Sequence, residues 1–525
     1  MSKTPHAGSL LRLARLAPAA AVLLGVALSV SPAEAQYFGR NKIQYQNFDW
    51  HILKTEHFDV YYYPEAQALA EHGAHFAEEV YDELEHRFDF SLNHRVPLIF
   101  YSSNLHFKQT NVTSGFIPDG VGGFFEFLKG RVVIPANGDL HRFRRVVRHE
   151  LVHVFTYSKL TRVLRDHRVP VDRFLPLWFT EGLAEYWSGP PDYQHEMILR
   201  DAVASNFFVP LDDLDRIAGT YVMYKEGEAV CRFLAETYGE EKILRLIEES
   251  WRDTDFGEVM AFVLGEDLHT VSDRFTAWVR EQYLPMLEDA DVPTLLSEAV
   301  AARGVNMKPV VHQAPDGQRE VVYVANRGGY TNVYAMPVDA DYQPTGEPEV
   351  LVRGERSADF EAFHLFESRM DVSEEGLLAF VTKRGGGDVV HVYDLRAREH
   401  VGLYHFDGLV AVYSPTWSPD GRRLAFTGID QGGFSDLYLY DRDAEHLRQL
   451  THDTYDDRDP DWSPAGEVLV FSSDRTAAAG PGTPAYNLFR YDLTTDGIEY
   501  VTYGRQHDLS PRWSPDGRHV VFASA

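Results

Sequence analysis

Cysteine is nearly absent: Cys231 is the single one among 525 residues, so no internal disulfide can staple this chain and its stability must come from buried core. The setting Glu228-Ala229-Val230-Cys231-Arg232-Phe233-Leu234 reads as the inner face of a helix. Basic residues are also short, with 50 Lys and Arg against 79 Asp and Glu and a formal charge of -29. Such an acidic surface repels phosphate backbones and excludes nucleic acid as a partner. Beyond about Val30 no apolar run is long enough to cross a bilayer. No G-x-S-x-G elbow occurs, which removes the serine hydrolase reading. His195 and Glu196 imitate the start of a zinc motif, but Leu199 holds the place of its second histidine.

What is present is the composition of a globular protein, 44% hydrophobic, 25% charged and 13% aromatic. The length calls for two or more domains. At the start, Lys3, Arg12 and Arg15 precede an apolar run from Leu16 to Val30, followed by Ala33-Glu34-Ala35. That order predicts a signal peptide over residues 1–35, cut before Gln36, and hence an exported, periplasmic or secreted product with no membrane span in the mature chain. The competing reading, a membrane anchor, needs a longer run.

Residues 36–295 mix short β-like runs with long amphipathic helices. Phe58 to Tyr63 and Val96 to Tyr101 read as strands flanking a helix from Ala66 to Phe88. A turn-rich patch from Ser114 to Gly123 leads into a predicted hairpin, Phe124 to Leu128 with Arg131 to Ile134. Helices are predicted over Arg142 to Tyr157, Trp178 to Trp187, Met223 to Tyr238 and Glu240 to Ser250. The basic, proline-bearing stretch Leu160 to Pro176 reads as a loop beside the cleft. This is an α+β domain with the sheet first. A linker, residues 296–309, follows.

Over 310–525 one phrase returns. Ala314-Pro315-Asp316-Gly317, Ser373-Glu374-Glu375-Gly376, Ser418-Pro419-Asp420-Gly421, Ser463-Pro464-Ala465-Gly466 and Ser514-Pro515-Asp516-Gly517 each precede a β-run. Trp417, Trp462 and Trp513 introduce the last three. A spacing of roughly 45 to 60 residues predicts the blades of an all-β propeller rather than a plain sandwich. These repeats resemble the TolB-type propeller, whose blades carry the same W-S-P-D-G turn and following strands. The fifth copy stops at Ala525 after one strand, so the propeller reads as incomplete at the C-terminus and the chain as a piece of a longer one.

The chemistry lies in Val147-Arg148-His149-Glu150-Leu151-Val152-His153-Val154. Residues four apart share a helix face, so both imidazoles can reach one metal ion while Glu150 addresses a water beside it. Zinc suits such ligands, with one coordination site left open and Glu150 as general base. Thr156 and Lys159 stand where the metzincin extension needs Gly and His, which excludes that branch. Downstream, Trp178-Phe179-Thr180-Glu181-Gly182-Leu183-Ala184-Glu185-Tyr186 closely resembles the W-x-x-E-G-x-A-E-Y helix of gluzincins. The resemblance implies Glu181 as the third zinc ligand and Glu185 as the carboxylate that orients the first histidine. The whole is similar to the peptidase-MA-like domains of bacterial envelope proteins, which stand ahead of TolB-like propellers.

The same resemblance places Gly123, Phe124 and Glu126 on the edge strand that receives an extended substrate, with Glu126 matching an amine-binding glutamate in the aminopeptidase branch or serving as an ordinary strand residue. An oxyanion donor is also required; Tyr221 and Tyr224 are candidates, each with a packing role as the plainer alternative. The reading is a zinc peptidase of the cell envelope acting on protein or peptide, with an envelope partner on the propeller and an outer-membrane association beyond Ala525 as a further expectation. The alternative is a binding or assembly module on a weak or inactive peptidase scaffold.

Overall fold

The computed structural model describes residues 44–113, 117–118, 120–287, 297–475 and 485–525. The signal peptide expected over residues 1–35 lies outside these residues, as do parts of the turn-rich patch and of the linker. Among the described residues no helix is long and apolar enough to cross a membrane.

The chain first builds a five-stranded sheet from β1 (His51–Lys54), β2 (Phe58–Tyr62), β3 (Val96–Tyr101), β4 (Phe124–Glu126) and β5 (Arg131–Pro135). Their order is β1-β2-β3-β5-β4. β2, β3 and β5 run parallel, whereas β1 and β4 are antiparallel additions at the two edges. The parallel pair β2 and β3 needs a crossover, supplied by α1 (Gln67–Phe88), which buries Leu69, Ala70, Ala77, Val80, Tyr81 and Leu84 along one stripe. Phe58, Val60, Leu98, Phe100, Val132 and Ile134 meet that stripe in one core.

α2 (Leu140–Asp166) follows directly from β5 and packs on the same core through Phe143, Val147, Leu151, Val154 and Phe155. Asp139 caps it, accepting a hydrogen bond from Arg142 N at 2.8 Å. α2 runs further than the sequence predicts: Leu160 to Asp166, expected in the loop, are helical, with Leu160 and Leu164 buried and Arg162 paired to Asp166 one turn on. The intervening loop is confined to residues 167–176. Then come α3 (Leu177–Ser188), α4 (Tyr193–Ala204), α5 (Tyr221–Tyr238), α6 (Glu241–Glu248), α7 (Phe256–Leu264) and α8 (Leu268–Tyr283). Cys231 sits on the buried face of α5.

From Val305, inside the stretch the sequence marks as linker, the chain is all β. Sheets over 305–353, 362–404, 409–449 and 457–500 each contain an antiparallel four-stranded path, and a two-stranded sheet covers 508–524. The recurring phrase makes the same turn each time, with the glycine N–H donating to the carbonyl three residues back at 2.8–2.9 Å in all five copies. Gly317, Gly376, Gly421, Gly466 and Gly517 take φ of 66 to 88° there, the left-handed region that favours glycine. The tryptophans lock blade to blade: Asp371 accepts from Trp417 N and Asp461 from Trp513 N, each at 2.7 Å, while Trp462 Nε1 donates to Thr416 O at 3.2 Å.

Candidate metal centre

Three side chains from two helices converge on one point. On α2, His149 and His153 bring their Nε2 atoms to 3.2 Å of one another. From α3, Glu181 Oε2 stands 3.4 Å from His149 Nε2 and 3.2 Å from His153 Nε2. The three side chains keep about one seventh of their surface exposed, so the point is sheltered yet reachable from solvent. Donors about 2.0–2.1 Å from one ion at tetrahedral angles lie about 3.3–3.4 Å apart, so this triangle has the size of a zinc cradle with a fourth position to spare. The fit is chemical as well, since two imidazoles and a carboxylate are ordinary zinc donors. Burial opposes ionisation of Glu181, but His153 and His149 beside it hold its carboxyl well below the usual range.

Glu150 is 4% exposed, and its Oε2 has no hydrogen-bond partner. An orphaned buried carboxylate oxygen is costly unless it serves a bound species. Burial pushes this carboxyl up to about 8, with Glu181 and Glu185 adding to the rise and His153 opposing it. Beside it lies Gly123: a methyl group there would stand 3.0 Å from Val146 Cγ1 and 3.1 Å from Glu150 Oε1. The absence of a side chain at Gly123 keeps the space next to Glu150 open.

Glu185 lies one turn beyond Glu181, with Oε1 3.6 Å from His149 Nδ1, just outside hydrogen-bond reach. Its other oxygen takes Lys225 Nζ at 2.9 Å and Arg145 at 3.4 Å. Burial works against its ionisation, yet His149, Lys225 and Arg145 hold it low, at about 2. Lys225 and Arg145 went unnoticed in the sequence. Arg145 had a signal, one helical turn before His149 on the same face; Lys225 had none beyond standing next to Tyr224.

The two tyrosines part company. Tyr224 stands beside Glu181, and burial together with Glu181 and Glu150 keeps its phenol well above the ordinary pKa. Tyr221 is half exposed and donates to Gln194 Oε1 at 2.9 Å, away from the three donors. On β4, Phe124 turns its ring toward Phe107, 5.6 Å away. Glu126 is taken up by Arg131 across the hairpin at 2.9 Å and by the Leu128 N–H at 2.9 Å.

A glycine pair explains how α3 and α5 come so close. A Cβ on Gly182 would lie 2.3 Å from Gly227 C, and one on Gly227 would lie 2.4 Å from Trp178 O. The helices therefore touch backbone to backbone, which brings Tyr224 and Lys225 against Glu181 and Glu185. Among the described residues one other group has metal-ligand spacing, Asp436, Asp453 and Asp457 in the second half of the chain. Arg475 already bonds both Asp453 and Asp457 there.

Comparison with known proteins agrees with this division. Residues 103–281 match the model of the Peptidase MA superfamily, and residues 371–525 match that of the TolB beta propeller domain. A Peptidase MA domain is joined to a TolB-like propeller. Curated relatives include an uncharacterized protein of Agrobacterium fabrum, 33% identical over 21% of this chain and 34% of its own length. A TolB homolog of Chlorobium luteolum is 37% identical over 21% of this chain and 23% of its own. The uncharacterized peptidase YuxL of Bacillus subtilis is 30% identical over 22% and 17%. The chain thus spans about a third of the length of the first of these relatives and less of the other two. Among solved structures, a putative TolB from Agrobacterium tumefaciens is 20% identical over 41% of this chain and 73% of that one, with a TM-score of 0.31.

Proposed function

We propose that this chain is a zinc-dependent peptidase of the bacterial cell envelope, with His149, His153 and Glu181 as metal ligands and Glu150 as general base. The observation that carries the reading is the 3.2–3.4 Å triangle of donors with the orphaned Glu150 carboxylate close by. A zinc ion held there would polarise the scissile carbonyl and acidify a water molecule. Glu150 takes the proton of the attacking water at its free oxygen and delivers it to the leaving amine. The Peptidase MA match supports the class of reaction.

Around that step the other side chains hold and orient. Glu185, anchored by Lys225 and Arg145, faces His149 Nδ1 and favours the tautomer that leaves Nε2 free to coordinate. Tyr224 is the candidate donor to the developing oxyanion, since its phenol stays protonated beside Glu181. β4 is the terminal strand of the sheet among the described residues, and its outer edge offers backbone groups to an extended peptide. Export rests on the leader of basic residues, apolar run and Ala33-Glu34-Ala35.

The test compares the purified chain with Glu150→Gln. Metal analysis should give one zinc per chain for both, while cleavage of casein and of a mixed peptide library falls at least about a thousandfold in the variant. Stoichiometric zinc with no cleavage that depends on Glu150 would refute the enzyme and leave a binding module.

A further inference from the structure

Leading away from Glu150 is a run of aromatic rings that the chemistry above does not use. Gly123 abuts Glu150 and Val146. Further along the same hairpin, the Phe125 ring lies 6.0 Å from that of Tyr157. The next ring, Phe127, is also 6.0 Å from Tyr157 and 6.1 Å from Phe174. Tyr157 stands one helical turn beyond His153 and about two turns beyond Glu150, on the same side of α2. Phe174 comes from the loop that leads into α3 and Glu181. The rings thus come from the β4–β5 hairpin, from α2, which carries both imidazoles, and from the loop that leads into α3.

The outer end of the run is open. Phe127 is 47% exposed and Phe174 64%. Contiguous aromatic surface in solvent marks a place where apolar groups are received. The one carboxylate on the strand, Glu126, is tied to Arg131 and to the Leu128 and Lys129 N–H groups. A peptide added to the free edge of β4 presents alternate side chains to one face, with about 3.3–3.4 Å per residue. Phe125 is two residues from Gly123, so the side chain it meets stands about two residues from the bond beside Glu150.

We infer that Phe125, Tyr157, Phe127 and Phe174 form a specificity subsite for an apolar, aromatic side chain of an extended peptide substrate, about two residues from the scissile bond. This rests on the peptidase reading for the identity of that bond; the binding preference can be measured without it.

The experiment uses the full chain in the Glu150→Gln background and fluorescein-labelled decapeptides that carry Phe or Asp at one position, two residues to either side of the centre. Fluorescence anisotropy should give affinity at least about tenfold higher for one Phe peptide than for its Asp counterpart. The double change Phe127→Ser with Phe174→Ser, at exposed positions that do not threaten the fold, should shrink that ratio at least about fivefold. Phe366→Ser, an exposed ring on the propeller half, should leave it alone. A ratio near one in the intact chain, or an undiminished ratio in the double variant, overturns the subsite. So does a double variant that loses binding to phosphatidylglycerol vesicles while its peptide selectivity is intact, because the rings then face a membrane. Cleavage of the same peptides by the chain with Glu150 in place separates the two readings. Selective binding without cleavage keeps the subsite and removes the peptidase, and Glu150-dependent cleavage without selectivity does the reverse.

Discussion

Gly182→Ala sets two physical effects against each other. The residue is in the middle of α3, where helix propensity alone favours alanine by about 1 kcal/mol. Packing opposes it, because the new methyl group would lie 2.3 Å from Gly227 C and 2.4 Å from Gly227 O, where ordinary contact begins at 3.4 Å. Those atoms are backbone in α5, so the clash is relieved only by moving a helix about 1 Å. Overpacking of that kind costs about 1–3 kcal/mol. Glu181 is the adjacent residue, and metal ligands tolerate about 0.2 Å of displacement. The variant should therefore lower the Tm of the zinc-free chain by a few degrees or more and weaken zinc at least about tenfold in competition with a chelator. A Tm at or above that of the parent, with unchanged zinc affinity, would refute the claim that the glycine contact sets the position of Glu181.

Glu185→Gln removes the charge facing His149 and strands Lys225, 3% exposed at its side chain; zinc affinity measured by chelator competition should fall about 10- to 100-fold. Glu226 is fully buried, and burial pushes its carboxyl up to about 8. The folded chain therefore holds a proton that the unfolded chain releases above about pH 4.5, and stability falls as pH rises from there toward 8. Glu226→Gln should raise Tm relative to the parent at pH 8 and much less at pH 5, by denaturation scans at both. Tyr486→Phe removes the hydroxyl that reaches Asp456 at 2.6 Å and, across the junction between the two halves, Asp139 at 2.9 Å. It should cost about 1 kcal/mol in denaturant unfolding, with zinc content unchanged.

Much of this was legible because it is local. Apolar periodicity marks α1 and β3, and one turn phrase marks the blades. His149, Glu150 and His153 converge because four residues make about one helical turn. Glu181, distant in sequence, was reached through a motif whose glycine now has a reason, since Gly182 is where α5 touches. What escaped is what depends on that crossing. Lys225 meets Glu185 only because Gly227 lets the helices close, and nothing near Lys225 in sequence announces a carboxylate 40 residues away. The end of α2 escaped for a different reason: Arg162 and Arg165 suggested a solvent loop, while Leu160 and Leu164 continue the buried stripe beneath them.

The junction between the halves bears on the site. Asp139 caps the helix that carries His149 and also accepts a hydrogen bond from Tyr486, so one carboxylate serves both halves. Around it the backbones touch: Gly138 bridges Phe434, and a methyl group on Gly138 would stand 2.5 Å from Ser435 Cβ. From the other side, one on Gly433 would lie 2.9 Å from Ser102 O. Both glycines have φ near +90°, where other residues are strained. Leu105 packs into the cluster of Val410, Ala411, Tyr413 and Ile429 beside them. The contact is sensitive to register, because a slide by a single residue would put Asn137 or Asp139, each with a side chain, in the place of Gly138. The β-sheet half therefore fixes the start of α2 in place, nine residues before the first imidazole.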